Sequence, residues 1–131
     1  MVDPTARLIE LVAAILPVSD GAPRSADGRI ETPTGPHAIL YGGTPTPASL
    51  NLAHEHASTR HTWQIVCVNN NPHGARTIAD RITRAIDSQQ APDHPHDRYT
   101  VTYASDPIED RDDPTAWRWT STVEVQLTIG R

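Results

Sequence analysis

Leu8, Leu11, Val12 and Ile15 recur at spacings of three and four, which places them on one face of an amphipathic helix. Asp3 precedes that helix as its N-cap, and Pro4 takes the first helical position, where a missing N–H costs nothing. Pro17 ends it, because proline disfavours helical backbone in the residue before it. A second stripe, Ala75, Ile78, Ala79, Ile82, Ala85 and Ile86, follows the turn Asn69-Asn70-Asn71-Pro72, which repeats the cap-then-proline pattern. Arg76, Asp80, Arg84 and Asp87 fall on its polar side. The Asp80–Arg84 pair adds only about 0.2–0.5 kcal/mol, whereas each buried isoleucine adds roughly 1.5–3 kcal/mol.

Elsewhere the period changes to two. His37 to Tyr41 predicts a short strand closed by Gly42-Gly43. Ser58 to Val68 predicts a longer one, with Trp63, Ile65 and Cys67 on one face and Val66 and Val68 on the other, covered on both sides near its end. Tyr99, Val101 and Tyr103 alternate with Thr100 and Thr102. The final strand is the most regular. Trp117, Trp119, Val123, Val125, Leu127 and Ile129 face one way, while Arg118, Thr120, Thr122, Glu124, Gln126 and Thr128 face the other. Such a strand sets one face on a core and the other toward water or a partner.

The rest reads as loops: residues 18–36, with a brief strand at Arg29 to Thr32, and residues 44–53, a proline-bearing excursion that exposes Leu50 and Leu52. Ala91 to Asp97 is a polar linker broken by proline, and 106–114 is a sharply acidic loop. The predicted fold is a single α+β domain over 1–131, with about four strands in a mostly antiparallel sheet, two amphipathic helices on one face and long Pro-rich loops.

Composition narrows the function. A chain of 131 residues holds one compact domain. Eleven basic residues, all arginine, against sixteen acidic ones give a net charge of -5, which argues against a general binder of nucleic acid or anionic membrane. Without lysine there is neither Schiff-base chemistry nor a P-loop. The single cysteine, Cys67, can form no internal disulfide and reads as a small buried apolar group. The N-terminus lacks the pattern of a secretory signal, and no stretch approaches the roughly 20 apolar residues that cross a bilayer, so the expectation is a soluble cytosolic protein.

Candidate chemistry is sparse. His54-Glu55-His56 puts two imidazoles on one face of a strand, as metal ligands can be, but His61 falls on the opposite face and a third ligand must come from elsewhere. The other reading is a solvated strand entry. Asp93-His94-Pro95-His96-Asp97 offers metal-binding atoms in a loop that proline interrupts. The run Asp106 to Asp113 lacks the glycine and the terminal bidentate glutamate of an EF-hand. No Gly-x-Ser-x-Gly elbow occurs. The sequence therefore assigns no catalytic residue, no metal and no cofactor, and does not read as an enzyme.

The initial helix, the strand His37-Ala-Ile-Leu-Tyr-Gly, the stretch His56-Ala-Ser-Thr-Arg-His-Thr-Trp-Gln-Ile-Val-Cys-Val, the helix Gly74-Ala-Arg-Thr-Ile-Ala-Asp-Arg-Ile-Thr-Arg-Ala-Ile and the closing strand together form a pattern. It resembles that of the tail terminator proteins of long-tailed bacteriophages, minor tail proteins that complete the tail tube. The likeness spans roughly residues 4 to 129, as an order of elements and not as a signature motif. It implies a non-enzymatic virion protein that forms a homohexameric ring on the tail tube protein. Such a ring ends tube polymerisation and presents the docking surface for the head-tail connector or neck protein. It also implies assembly in the host cytoplasm, a place at the head-proximal end of the tail, and passage of DNA through the lumen without specific binding.

Within that frame Asp106, Glu109, Asp110, Asp112 and Asp113 are lumen-lining candidates, since repelled phosphates slide without sticking; the same run also fits an external solvated loop. Leu50, Leu52, Trp117 and Arg118 are interface candidates, Trp117 because an aromatic at a strand mouth beside a loop often enters a subunit contact. Two alternatives remain open. One is a neck or head-completion protein of the same virion, with the same small domain and ring symmetry. The other is a small metalloenzyme dependent on His54 and His56, distinguished by stoichiometric zinc that substitution of either residue would remove.

Overall fold

The computed structural model describes residues 3–22, 27–28, 35–50, 56–110 and 118–130, without the side chains of 48–50, 56, 57 and 110. Helix α1 (Pro4–Ala13) begins where the Asp3 carboxylate accepts the Thr5 N–H at 3.2 Å, with Pro4 in the first turn. Strands β1 (Val18–Asp20), β2 (His37–Gly42), β3 (Thr46–Leu50) and β4 (His56–Asn69) precede helix α2 (Pro72–Ile86). Asn71 caps α2 by accepting the Gly74 N–H at 2.6 Å. Then come β5 (Gln90–Ala91), β6 (His94–Arg98), β7 (Thr100–Ala104), β8 (Ile108–Asp110) and β9 (Arg118–Gly130).

The α+β class holds, but the expected four-stranded sheet does not. Seven strands form one mixed sheet in the order β1-β2-β4-β9-β7, with β3 also on β4 and β8 also on β9; β5 and β6 make a separate two-stranded ribbon. Each added strand lies in a stretch that reads as loop. Val18–Asp20 runs parallel to β2, too short to show a period. Thr46–Leu50 carries Pro47 and pairs with β4 through a shifted register. Proline can sit there because an edge strand has N–H groups with no ladder partner to lose. Ile108–Asp110 hides inside the acidic run and pairs with the start of β9. The strand expected at Arg29–Thr32 lies outside the described residues.

At the centre β4 and β9 pair antiparallel from Ser58↔Gly130 to Asn69↔Trp119. Their core phase holds Trp63, Ile65 and Cys67 against Val123, Val125 and Leu127, beneath Leu8 and Val12 of α1 and Ala75, Ile78, Ala79, Ile82 and Ile86 of α2. Both helices thus cover the same face of the sheet. Burying each such aliphatic side chain contributes roughly 1.5–3 kcal/mol.

Trp63 ties the layers together. Its Nε1 donates to Thr5 Oγ1 at 3.0 Å, and its ring meets Tyr99 at 5.7 Å between centroids. Tyr99 in turn donates its hydroxyl to the Pro4 carbonyl at 2.6 Å. Gly43 follows β2 at a φ of +97°, and a Cβ there would collide with the Trp63 indole and the Thr5 hydroxyl, so the pocket closes only around glycine.

Candidate assembly surfaces

The register fixes which side chains share the helix-free face of the sheet. Tyr41 stands opposite Gln64, Gln64 opposite Glu124, and Glu124 opposite Tyr103, one row across β2, β4, β9 and β7. The next row holds Ile39, Val66 and Thr122, and the one beyond it His37, Val68, Thr120 and Ile108. The exposed large hydrophobic residues among those described are Tyr41 (43%), Tyr103 (59%) and Ile108 (63%), and all three lie in these rows. Gln64 and Glu124 stand between the two tyrosines, and Ile108 lies two rows away, so the three are separate apolar side chains on a mixed face. At the edge of the face, His37 is buried; its Nδ1 lies 2.8 Å from the Gly35 carbonyl and so carries the proton.

Tyr103 reaches this face by a register shift. Alternation places it with Tyr99 and Val101, yet Val101 opposes Val125 while Tyr103 opposes the adjacent Glu124. The extra residue is Thr102, whose hydroxyl lies 3.0 Å from Glu124 Oε1, and the bulge turns Tyr103 outward.

The lumen-lining candidates divide. Asp106 is exposed in the connection between β7 and β8. Glu109 and Asp110 belong to β8, opposite Trp119 and Arg118. Asp112 and Asp113 lie outside the described residues, as do Leu52 and Trp117 among the interface candidates. Leu50 ends β3 opposite His56, and Arg118 opens β9, half-buried. The structure therefore brings Asp106, Glu109, Asp110 and Arg118 to one end of the sheet and Leu50 to the other.

At that second end lies a polar cleft of about 370 Å³ lined by Arg7, Ser88, Gln89, Gln90, Ala91, Pro92 and Arg98. Arg98 Nη1 donates to the Ser88 carbonyl at 2.8 Å, and Arg7 Nη1 to Glu10 Oε2 at 3.1 Å. Ser88 has a φ of 70°, a left-handed conformation that costs a side-chain-bearing residue on the order of 1 kcal/mol. Its N–H is held by the Tyr99 carbonyl at 2.9 Å, so the turn that presents the cleft is anchored to the core. Sequence reasoning missed this pair of arginines, and no local signal could have joined positions 7 and 98. Tyr41 and Ile108 were equally hidden, the first as a strand residue before two glycines, the second inside an acidic run.

Among the described residues the histidine candidates do not converge. His54 and Glu55 lie outside the described residues, while His61 stacks on Trp63 at 5.5 Å and 8° with Nδ1 3.0 Å from the Gly43 carbonyl. His94 and Asp97 approach to 3.9 Å within the β5–β6 ribbon. Among the described residues no three His, Cys, Asp or Glu side chains come together as a metal site. Burial pushes the Cys67 thiol up to about 12, so it stays protonated and unreactive at neutral pH.

No family model matches this chain, and no curated protein matches it. A solved structure whose name describes no activity is similar at a TM-score of 0.59 and 16% identity, over 95% of this chain and 89% of that one. That likeness speaks to the fold alone.

Proposed function

We propose that this chain is a phage tail terminator: a virion protein that caps the tail tube as a ring, ends its polymerisation and presents the docking surface for the neck. The observation that carries the reading is the order of elements. An initial helix, the strand bearing His37-Ala-Ile-Leu-Tyr-Gly, the Trp63-bearing strand, the helix after it, and β7 and β9 occur in the order the resemblance describes, with the short strands β1, β3, β5, β6 and β8 added between them. Further support comes from the layering. Helices cover one face of the sheet, and the other offers Tyr41, Tyr103 and Ile108 to a neighbour. A small domain of this kind gains stability when copies bind one another. The net charge of -5 suits a ring through which DNA passes without being held.

The test is functional. Purified protein is added to tail tubes polymerising in vitro, and tube length and tube ends are observed by electron microscopy. The reading expects rings at one end of each tube and arrested growth. Tubes that lengthen unchanged, with bare ends at saturating protein, would overturn it.

A further inference from the structure

We infer that the arginine-bearing side of α2 in one copy of this chain docks on the row Tyr41, Gln64, Glu124 and Tyr103 of a second copy. The inference rests on the reading of the protein as a self-assembling subunit and names the contact. Its first ground is charge on α2 that its own molecule does not neutralise. Arg76, Asp80, Arg81 and Arg84 are all exposed, while Ile78, Ile82 and Ile86 of the same helix are buried. Asp80 takes Arg84 at 3.1 Å, and among the described residues no carboxylate pairs with Arg76 or Arg81. In a chain with a net charge of -5, the outward side of α2 is therefore locally positive.

The second ground is the row itself. Glu124 is its charged member, half-buried, and among the described residues no cation pairs with it. Its Oε1 lies 3.0 Å from the Thr102 hydroxyl and 3.5 Å from the Gln126 amide, and an ionised carboxylate has further lone pairs for an incoming donor. Tyr41 and Tyr103 stand at the two ends, and an exposed tyrosine ring is a stacking surface for a guanidinium. Two rings on either side of a carboxylate suit an arginine-bearing helix better than an apolar one.

The third ground is geometry. The row crosses β2, β4, β9 and β7, so strands about 4.8 Å apart set its two tyrosines roughly 14 Å from each other. At about 1.5 Å per residue, Arg76 and Arg84 lie about 12 Å apart along α2, with Arg81 between them. The two surfaces thus match in length. They cannot meet within one molecule, because α2 packs on the face of the sheet opposite the row. A contact between opposite sides is heterologous: each copy uses both, and the chain of copies closes into a ring where the rotation allows.

Sedimentation velocity of the full chain at 50 and 500 mM NaCl tests the contact. One variant carries Arg76→Glu and Arg81→Glu together, the other Glu124→Arg, and they are measured alone and mixed. The expected result is association that weakens with salt. Each variant alone should weaken it at least about threefold, and an equal mixture should recover it through alternating copies. Glu124→Gln, measured alone and expected to weaken association in the same direction, serves should circular dichroism show Glu124→Arg unfolded. Association that ignores salt and both sets of substitutions overturns the contact while leaving a ring built through other surfaces. A wild-type chain that stays monomeric at 50 mM NaCl also overturns it, and tube capping then judges the functional reading by itself.

Discussion

The two faces of the sheet are made by the same strands, yet they obey different rules. On the helix-covered face β9 contributes Val123, Val125 and Leu127, at most 1% exposed; on the other it contributes Thr122, Glu124 and Gln126, all half-buried. β4 repeats the contrast, with Trp63, Ile65 and Cys67 inward and Gln64 outward. Packing density governs the first face, so any lost volume is felt. The second face is mixed: His37 and Val68 are buried at one corner of it, while Tyr41, Tyr103 and Ile108 stand exposed and add little to the monomer's packing.

Trp63→Ala should break the covered face most severely. It removes the largest buried side chain along with its bond to Thr5, and a loss of about 3–5 kcal/mol is expected in urea unfolding. Alkaline pH should act on the same face. Burial raises Cys67 from 9.0 and Tyr99 from 10.0, each to about 12. The native state therefore keeps protons that the unfolded chain releases, and stability falls as pH rises from 9 toward 12. The decline approaches about 1.4 kcal/mol per pH unit for each titrating group. Cys67→Ala should move its onset from near pH 9 to near pH 10, which unfolding free energies at a series of pH values would register.

Smaller effects sharpen the contrast. Tyr99→Phe deletes only the bond to the Pro4 carbonyl and should cost about 0.5–1.5 kcal/mol by thermal or urea melts. On the other face, Tyr41→Ser and Tyr103→Ser should change monomer stability by no more than about 0.5 kcal/mol. They should nevertheless weaken self-association measured by light scattering. Should either tyrosine variant unfold as readily as Trp63→Ala, the division between the two faces would be wrong.

What the sequence revealed follows from how much neighbouring residues constrain one another. Both helices were legible because Asp3-Pro4 and Asn71-Pro72 start them and their apolar stripes repeat over whole turns. The long strands were legible because a buried face enforces alternation, as in Val123, Val125 and Leu127. The short edge strands were not. Val18–Asp20 and Ile108–Asp110 have three residues each, and Thr46–Leu50 carries a proline that only an edge tolerates. Strict alternation puts Tyr103 on the face of Tyr99 and Val101, and the bulge that breaks the period of two turns it to the other. The Arg7–Arg98 cleft arises only when the chain is folded, since nothing local links its two halves.

The central claim is that this domain works as one of several identical copies. Its most direct test is the mass of the native particle across a concentration series at low salt. The account predicts a closed species of fixed stoichiometry, six times 14.3 kDa if the ring has the size the resemblance implies. A particle of 14.3 kDa at every concentration would contradict it.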